Sequence, residues 1–351
     1  MSKRIPVGLV GVTGYTGMEL ARILAWHPSL ELVCATSRTE SGKRLEELYP
    51  YLAGTGLGDL EISSPSPKEL AARCRLVFLA VPHKTAMEIA DALLCEGVKV
   101  VDLSADFRLN DKSVYEKWYQ TEHSRADRLD QAVYGLPELY RDEIAGAELV
   151  ANPGCYPTTA ILGLYPALAE GLVETGDIVI DSKSGTSGAG RKAAVGTLFC
   201  EVHDSFRAYG LGKHRHTPEI EQEISKLAGK SLTVSFNTHL LPIDRGILST
   251  IYTRLKPGVE LDAVRAAYAA HYDGEPWVRV LPDGTLPETR WVRGTNFCDI
   301  GLVVDPRTNR LIILSAIDNL CRGASGQAVA NANLMLGLEP DDGLRLTPLM
   351  P

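Results

Sequence analysis

Cys155 stands in the run Ala151-Asn152-Pro153-Gly154-Cys155-Tyr156-Pro157-Thr158-Thr159, which places a thiol where a turn opens into a helix. Asn-Pro-Gly is turn chemistry, Pro157 suits a first helical turn, and the residues from Thr158 to Leu168 predict a helix. A sulfur at that mouth faces backbone N–H groups at the positive end of the helix dipole. Those groups favour thiolate over thiol and can hold an oxyanion formed when the sulfur attacks a carbonyl. The plainer reading is a small buried hydrophobe, the commoner fate of a single cysteine. A proton carrier to serve the thiol occurs in Lys213-His214-Arg215-His216-Thr217-Pro218-Glu219. Thr217 predicts an N-cap and Pro218 the first turn of a helix. His216 falls just outside that start, where the dipole disfavours imidazolium and keeps a neutral ring ready to exchange a proton. His214, two residues earlier, carries the same ring on the same side of an extended segment. Two histidines between Lys213 and Arg215 fit a pocket for an anionic substrate. A metal would need further ligands, which the sequence does not cluster there.

Other candidates are loops that bring backbone close to a ligand. Gly11-Val12-Thr13-Gly14-Tyr15-Thr16-Gly17 follows an apolar run and precedes Met18-Glu19-Leu20-Ala21-Arg22-Ile23-Leu24. Strand, glycine loop and helix in that order can hold a pyrophosphate on the helix N-terminus, or form only a tight turn. The spacing of the glycines is one residue longer than the usual dinucleotide fingerprint. An acidic residue about 20 positions further on would mark a free ribose hydroxyl. Thr36-Ser37-Arg38 stands there instead. A hydroxyl and a guanidinium suit a 2′-phosphate, and so NADP(H), unless Arg38 is simply solvated. Ser184-Gly185-Thr186-Ser187-Gly188-Ala189-Gly190-Arg191 is a small-residue loop for a nicotinamide or a phosphate, or a plain flexible loop. Arg108 follows a strand end, free to meet an anion or to pair with Asp106.

These residues need elements to carry them. The first half alternates apolar runs with amphipathic stretches: Ile5 to Val10, a helix from about Gly14 to Trp26, Leu30 to Ala35, Leu76 to Val81 and Val98 to Leu103. This rhythm predicts a parallel sheet with crossover helices. Pro6 is tolerable only because it begins its strand. Between Arg108 and Glu148 the polar, irregular sequence reads as a long surface connection. From Asp177 onward the strand-like runs lengthen, at Ile178 to Ser182, Leu232 to Leu241, Ile247 to Leu255 and Leu311 to Ile317, which predicts a second, mixed-sheet domain. The tail from Asp318 to Leu338 has small apolar residues at helical spacing. The 351 residues fit two domains of roughly 100–200 residues each. An excess of 44 acidic over 36 basic side chains, net charge −8, argues against a nucleic-acid or anionic-membrane surface. Seven scattered cysteines without a C-x-x-C pair predict neither disulfides nor zinc and fit a reducing cytoplasm. No apolar stretch approaches the roughly 18 residues needed to span a bilayer.

Taken together the motifs resemble the N-acetyl-gamma-glutamyl-phosphate reductases of arginine biosynthesis, relatives of the aspartate-semialdehyde and glyceraldehyde-3-phosphate dehydrogenases. The resemblance rests on the glycine loop at 11–17, Leu103 to Arg108, Tyr134-Gly135-Leu136-Pro137-Glu138, Asn152 to Thr158, Ser184 to Arg191, His214 to Ile220 and Asp318-Asn319-Leu320. It implies an α/β fold with a Rossmann-type parallel-sheet domain and a second α+β domain with a mixed sheet, as in glyceraldehyde-3-phosphate dehydrogenase. Residues 1–154, completed by a C-terminal helix at about 318–351, are expected to bind NADP(H). Residues 155–317 are expected to carry catalysis and oligomerisation as a homodimer or homotetramer. It further implies Cys155 as nucleophile and His216 as acid/base. Ser187, Gly188 and Asn319 are implied near the nicotinamide, with Gly11, Thr13 to Gly17, Ser37 and Arg38 on the phosphate and adenosine side. Arg108, Asn152, Ser184 and His214 are the expected substrate contacts. One departure is Pro82-His83-Lys84-Thr85, where the family usually carries glycine after the histidine. A lysine-pathway relative acting on a carrier-linked aminoadipyl phosphate lacks the Asn-Pro and Tyr-Pro that flank Gly154 and Cys155 here. The remaining alternative is a non-catalytic NADP(H)-binding sensor.

Overall fold

A computed structural model describes residues 4–350. They form two units: the chain up to Pro153 together with Ala324–Arg345, and Gly154–Gly323 together with the residues from Leu346 on. The first unit holds seven strands, β1 (Ile5–Val10), β2 (Leu30–Thr36), β3 (Ile62–Ser63), β4 (Leu76–Leu79), β5 (Lys99–Asp102), β6 (Ala132–Tyr134) and β7 (Leu149–Ala151). They lie in the order β3-β2-β1-β4-β5-β7-β6, and every pairing is parallel. Helices cover both faces, so a central strand such as β4, Leu-Val-Phe-Leu, is buried at every residue. Pro6 occupies the second position of β1, where its missing N–H removes one ladder bond, while its carbonyl still accepts from Arg75 N at 2.9 Å. The strand order reverses between β1 and β4, and in open parallel sheets ligands bind at the carboxyl ends of the strands flanking such a point. The glycine loop leaves β1 there.

The stretch from Arg108 to Glu148 is not the irregular connection its polarity predicts. It contains helices Lys112–Tyr119 and Pro137–Gly146, a 3₁₀ segment at Ala126–Gln131, and β6 at the sheet edge. Asp111 caps the first helix, its Oδ1 accepting from Ser113 N at 2.7 Å. Tyr115 and Tyr119 stack with ring centroids 4.7 Å apart and join the core. Tyrosines counted as polar in the sequence are here the apolar face of a helix.

The second unit is a mixed seven-stranded sheet: β8 (Val179–Ser184), β9 (Arg207–Tyr209), β10 (Ser235–Leu240), β11 (Ile247–Arg254), β12 (Val278–Val280), β13 (Cys298–Asp305) and β14 (Arg310–Ile317), in the order β12-β13-β14-β11-β8-β10-β9. Pairings β8/β10 and β12/β13 are parallel and the others antiparallel. Helix Cys155–Ala169 packs on β11 and β14 and is apolar nearly all round, as a fully enclosed helix must be. Pro166 lies inside it, where the ring denies Leu162 O its helical donor. The Tyr272 hydroxyl donates to that carbonyl at 2.5 Å, and Tyr268 donates to the next one, Gly163 O, also at 2.5 Å. Among the described residues no helix is long and apolar enough to cross a membrane.

Candidate active site

In the first unit the loop from Gly11 is pinned to the end of β2: Gly11 N and Val12 N both donate to Thr36 O, at 3.2 and 3.0 Å. The pinning sets the buried Ser37 and the exposed Arg38 next to the loop. Gly14 caps helix Tyr15–Leu24 from an extended conformation without a side-chain acceptor, so the first-turn N–H groups keep their field for an anion. Two of the glycines are obligatory. A Cβ on Gly17 would lie 2.3 Å from Gly11 O, and Gly11 itself sits at φ +97° against Ala80 O. Thr13, Tyr15 and Thr16 are partly exposed along the same loop. Lys84 ends the neighbouring strand connection at φ +74°, where a side chain is strained. The conformation is imposed by Asp106, whose carboxylate accepts from Lys84 N at 2.8 Å and Ala86 N at 3.1 Å.

Arg108 and Asn152 meet in this unit as a clamp. Arg108 is buried, with Nε donating to Asn152 O at 2.7 Å and Nη2 to Leu103 O at 2.9 Å. The Asn152 side chain donates to Ala324 O at 3.1 Å and accepts from Asn331 Nδ2 at 3.0 Å. Asp106 serves the Lys84 turn and accepts from the Tyr115 hydroxyl at 2.7 Å.

In the second unit Cys155 is the first residue of helix Cys155–Ala169, three positions earlier than the apolar pattern starts, and Gly154 is its cap. The thiol is partly exposed. Thr158 and Thr159 bind back to Gly154 O and Tyr156 O, at 2.9 and 2.8 Å. From Thr159 Oγ1 a chain of buried hydroxyls runs to Ser249 and Ser182, with both links 2.7 Å, tying the first turn to β11 and β8. The decisive contact is Gly154 N to Glu219 Oε1, 2.8 Å and buried. Glu219 stands in the first turn of helix Thr217–Ala228, so this bond ties the turn bearing Cys155 directly to the start of the helix following His216. His216, rather than Thr217, is the residue that caps this helix.

His214 and His216 lie with ring centroids 4.9 Å apart, in a turn and not in an extended segment. Burial, and secondarily the charge of Arg215, lowers the His214 pKa to about 4. The neutral ring accepts from His216 N at Nδ1, 3.1 Å, which leaves the proton on Nε2 as a donor. Tyr156 packs edge-on to both histidines and shares a 2.7 Å hydroxyl contact with Tyr209. Burial raises both phenols above their ordinary range. Ser187, Gly188 and Ser184 gather with Asn319: Asn319 Nδ2 donates to Ser187 Oγ at 2.9 Å, and a Cβ on Gly188 would touch Ser184 Oγ at 3.0 Å. No group of metal-ligating side chains occurs among the described residues. Glu219 and Tyr209 were not singled out by sequence reasoning. Glu219 carried a signal, three residues after His216 at a helix start, but Tyr209 sits on a three-residue edge strand that no pattern marks.

Residues 6–147 match the family model described as semialdehyde dehydrogenase, NAD binding domain, and residues 155–319 the model described as semialdehyde dehydrogenase, dimerisation domain. The chain is similar to the N-acetyl-gamma-glutamyl-phosphate reductase of Desulfotalea psychrophila, 55% identical over 99% of this chain and 100% of that one. It is 52% identical to the protein of the same name from Desulforudis audaxviator, again over 99% and 100% of the two chains. Among solved structures, aspartate semialdehyde dehydrogenase II complexed with ASA from Vibrio cholerae aligns at TM-score 0.71 and 16% identity, over 96% of this chain and 99% of that one. The Candida albicans aspartate semialdehyde dehydrogenase with NADP aligns at 0.71 and 16%, over 95% and 99%.

Proposed function

The chain belongs to the N-acetyl-gamma-glutamyl-phosphate reductase family of semialdehyde dehydrogenases, enzymes of the oxidoreductase class, and we propose that it reduces N-acetyl-L-glutamyl 5-phosphate to N-acetyl-L-glutamate 5-semialdehyde and phosphate in arginine biosynthesis. The observation that carries this reading is the Glu219 bond to Gly154 N, because it joins the thiol motif and the histidine motif into one unit of chemistry.

Cys155 is the nucleophile. His216 accepts the thiol proton as Sγ bonds to the acyl carbon, and backbone N–H groups at the helix start stabilise the oxyanion. Phosphate departs with the electron pair of the C–O bond and a thioester remains on Cys155. The nicotinamide cofactor, NADPH, supplies a hydride when bound. With that hydride on the former acyl carbon, its oxyanion re-forms the carbonyl as the C–S electron pair returns to sulfur, releasing the aldehyde, and His216 returns its proton to the thiolate. His214, neutral with a proton on Nε2, orients the acyl group as a donor. Arg108 and Asn152 act on the substrate side by keeping the Asn-Pro-Gly turn in shape. Gly11, Thr13 to Gly17, Ser37 and Arg38 would hold the pyrophosphate and 2′-phosphate, with Ser187, Gly188 and Asn319 toward the nicotinamide. The helix N-terminus without a side-chain cap and the exposed Arg38 support that assignment. By this reading the first unit is the cofactor domain. The second is the catalytic and oligomerisation domain of a homodimer or homotetramer, which its exposed Leu198, Phe199, Phe206 and Leu211 support. Seven free cysteines support a cytoplasmic setting.

The test is phosphate-dependent oxidation of N-acetyl-glutamate semialdehyde with NADP+ and with NAD+. Cys155→Ser is expected to abolish turnover while NADPH binding persists. Normal turnover in that variant overturns the mechanism. An inactive wild type that binds NADPH tightly overturns the substrate and redirects the assay to the aminoadipyl and aspartyl analogues.

A further inference from the structure

Asp318 is fully buried and carries more partners than a turn requires. Its Oδ1 accepts from Leu320 N, Cys321 N and Arg245 Nη2, each at 2.9 Å. Its Oδ2 accepts from Gly294 N at 2.7 Å and faces Arg245 Nε at 2.9 Å. Its carbonyl accepts from Gly323 N at 2.9 Å, the wide bond that opens the π-helical turn Cys321–Ser325. Such turns are rare and are frequently found at functional sites.

Two arms leave this hub. On one side the π-helical turn brings Gly323 onto the nucleophile's helix: a Cβ on Gly323 would lie 2.6 Å from the Cβ of Cys155. On the other side Arg245 belongs to the turn that carries the loop after β8. Gly185 N donates to Gly246 O at 2.9 Å, Ser187 Oγ donates to Asp244 O at 2.6 Å, and Asn319 Oδ1 accepts from Gly246 N at 2.8 Å. We infer that Asp318, with Arg245 as its counter-ion, is a positioning residue that sets the seat of Cys155 and the Ser184–Gly188 loop from one point. Neither side chain is assigned a contact with reacting atoms. Their part is register, and a misplacement near 1 Å costs on the order of 100-fold in rate.

This inference rests on the reaction proposed above, so its test includes a readout that needs no substrate. Asp318→Asn, Arg245→Lys and Gly323→Ala are compared with wild type for kcat and KM, for NADPH affinity, and for the rate of Cys155 alkylation by iodoacetamide, followed by peptide mass spectrometry. The exposed Cys95 is the internal control. Expected are a fall in kcat of about 30-fold or more with KM changed by less than about threefold, and a changed alkylation rate at Cys155 only. Arg245→Ala should recover part of its kcat in added guanidine, a rescue that a fold-wide defect would not give. Should Asp318→Asn not fold, Arg245→Lys decides, because its side chain is 20% exposed and tolerates change better. Wild-type kcat in that variant, or unaltered Cys155 alkylation in all three, overturns the inference. A wild type without turnover would instead count against the proposed reaction, with alkylation still deciding the role of Asp318.

Discussion

At the scale of single residues, the proposed roles of Arg38 and His214 rest on charge in opposite ways. Arg38 is exposed at the end of β2, beside the pinned glycine loop, with no acidic residue in the place a ribose hydroxyl would need. A charge-assisted bond to a 2′-phosphate contributes about 1.5–3 kcal/mol. Arg38→Ala is therefore expected to lower the NADPH-over-NADH ratio of kcat/KM by roughly 10- to 100-fold, leaving the NADH value almost unchanged. An unaltered ratio would mean the guanidinium is only solvated. His214 works through neutrality. With its pKa near 4 it carries no charge across the working range, so the cation count near Cys155 is set by other groups.

At the scale of elements, the two helices that matter are started by different chemistry. Helix Cys155–Ala169 opens on glycine and a thiol, anchored by Glu219 from another helix. Helix Tyr15–Leu24 opens on Gly14 with no side-chain cap. The connection after β4 is a compromise. Lys84 is held at φ +74° by the Asp106 carboxylate, where a side chain costs about 1–2 kcal/mol. Glycine there removes that strain and gives back about 0.4–1 kcal/mol through the more flexible unfolded chain. Lys84→Gly is expected to stabilise the protein by about 0.5–1 kcal/mol in urea unfolding. A destabilised variant would show that the lysine side chain contributes more than its backbone costs.

For the whole molecule, one buried carboxyl makes stability depend on pH. Burial, and next the charge of Asp106, pushes the Asp102 pKa up to about 7 from 3.8. Below 3.8 both folded and unfolded states hold the proton. Between 3.8 and about 7 the unfolded chain releases it and the folded one keeps it. The wild type therefore loses up to about 1.4 kcal/mol per pH unit from this group as pH rises through that window, and no more above it. Asp102→Asn lacks the titration. Its stability relative to wild type is expected to rise from pH 4 to pH 7 and then level, read from urea midpoints across pH. A constant difference would sink the assignment.

Much of this protein was legible in its sequence because local rules act over short spans. The glycine loop, the Asn-Pro-Gly-Cys turn and the Thr217-Pro218 helix start are each fixed by backbone sterics and orphan N–H groups within a few residues. The strands Ile5–Val10 and Ile247–Arg254 follow from apolar periodicity. Where polarity misled, between Arg108 and Glu148, the burial of Tyr115 and Tyr119 against a core made elsewhere decided the outcome. The bond from Glu219 to Gly154 spans 65 positions, and the pairing of Arg245 with Asp318 spans 73. No periodicity encodes such contacts, because a buried charge chooses its partner only after the chain has folded. The sequence determined which groups are present and the local shape of each turn. The tertiary structure decided which groups share a low-dielectric neighbourhood, and there a carboxylate can organise a site.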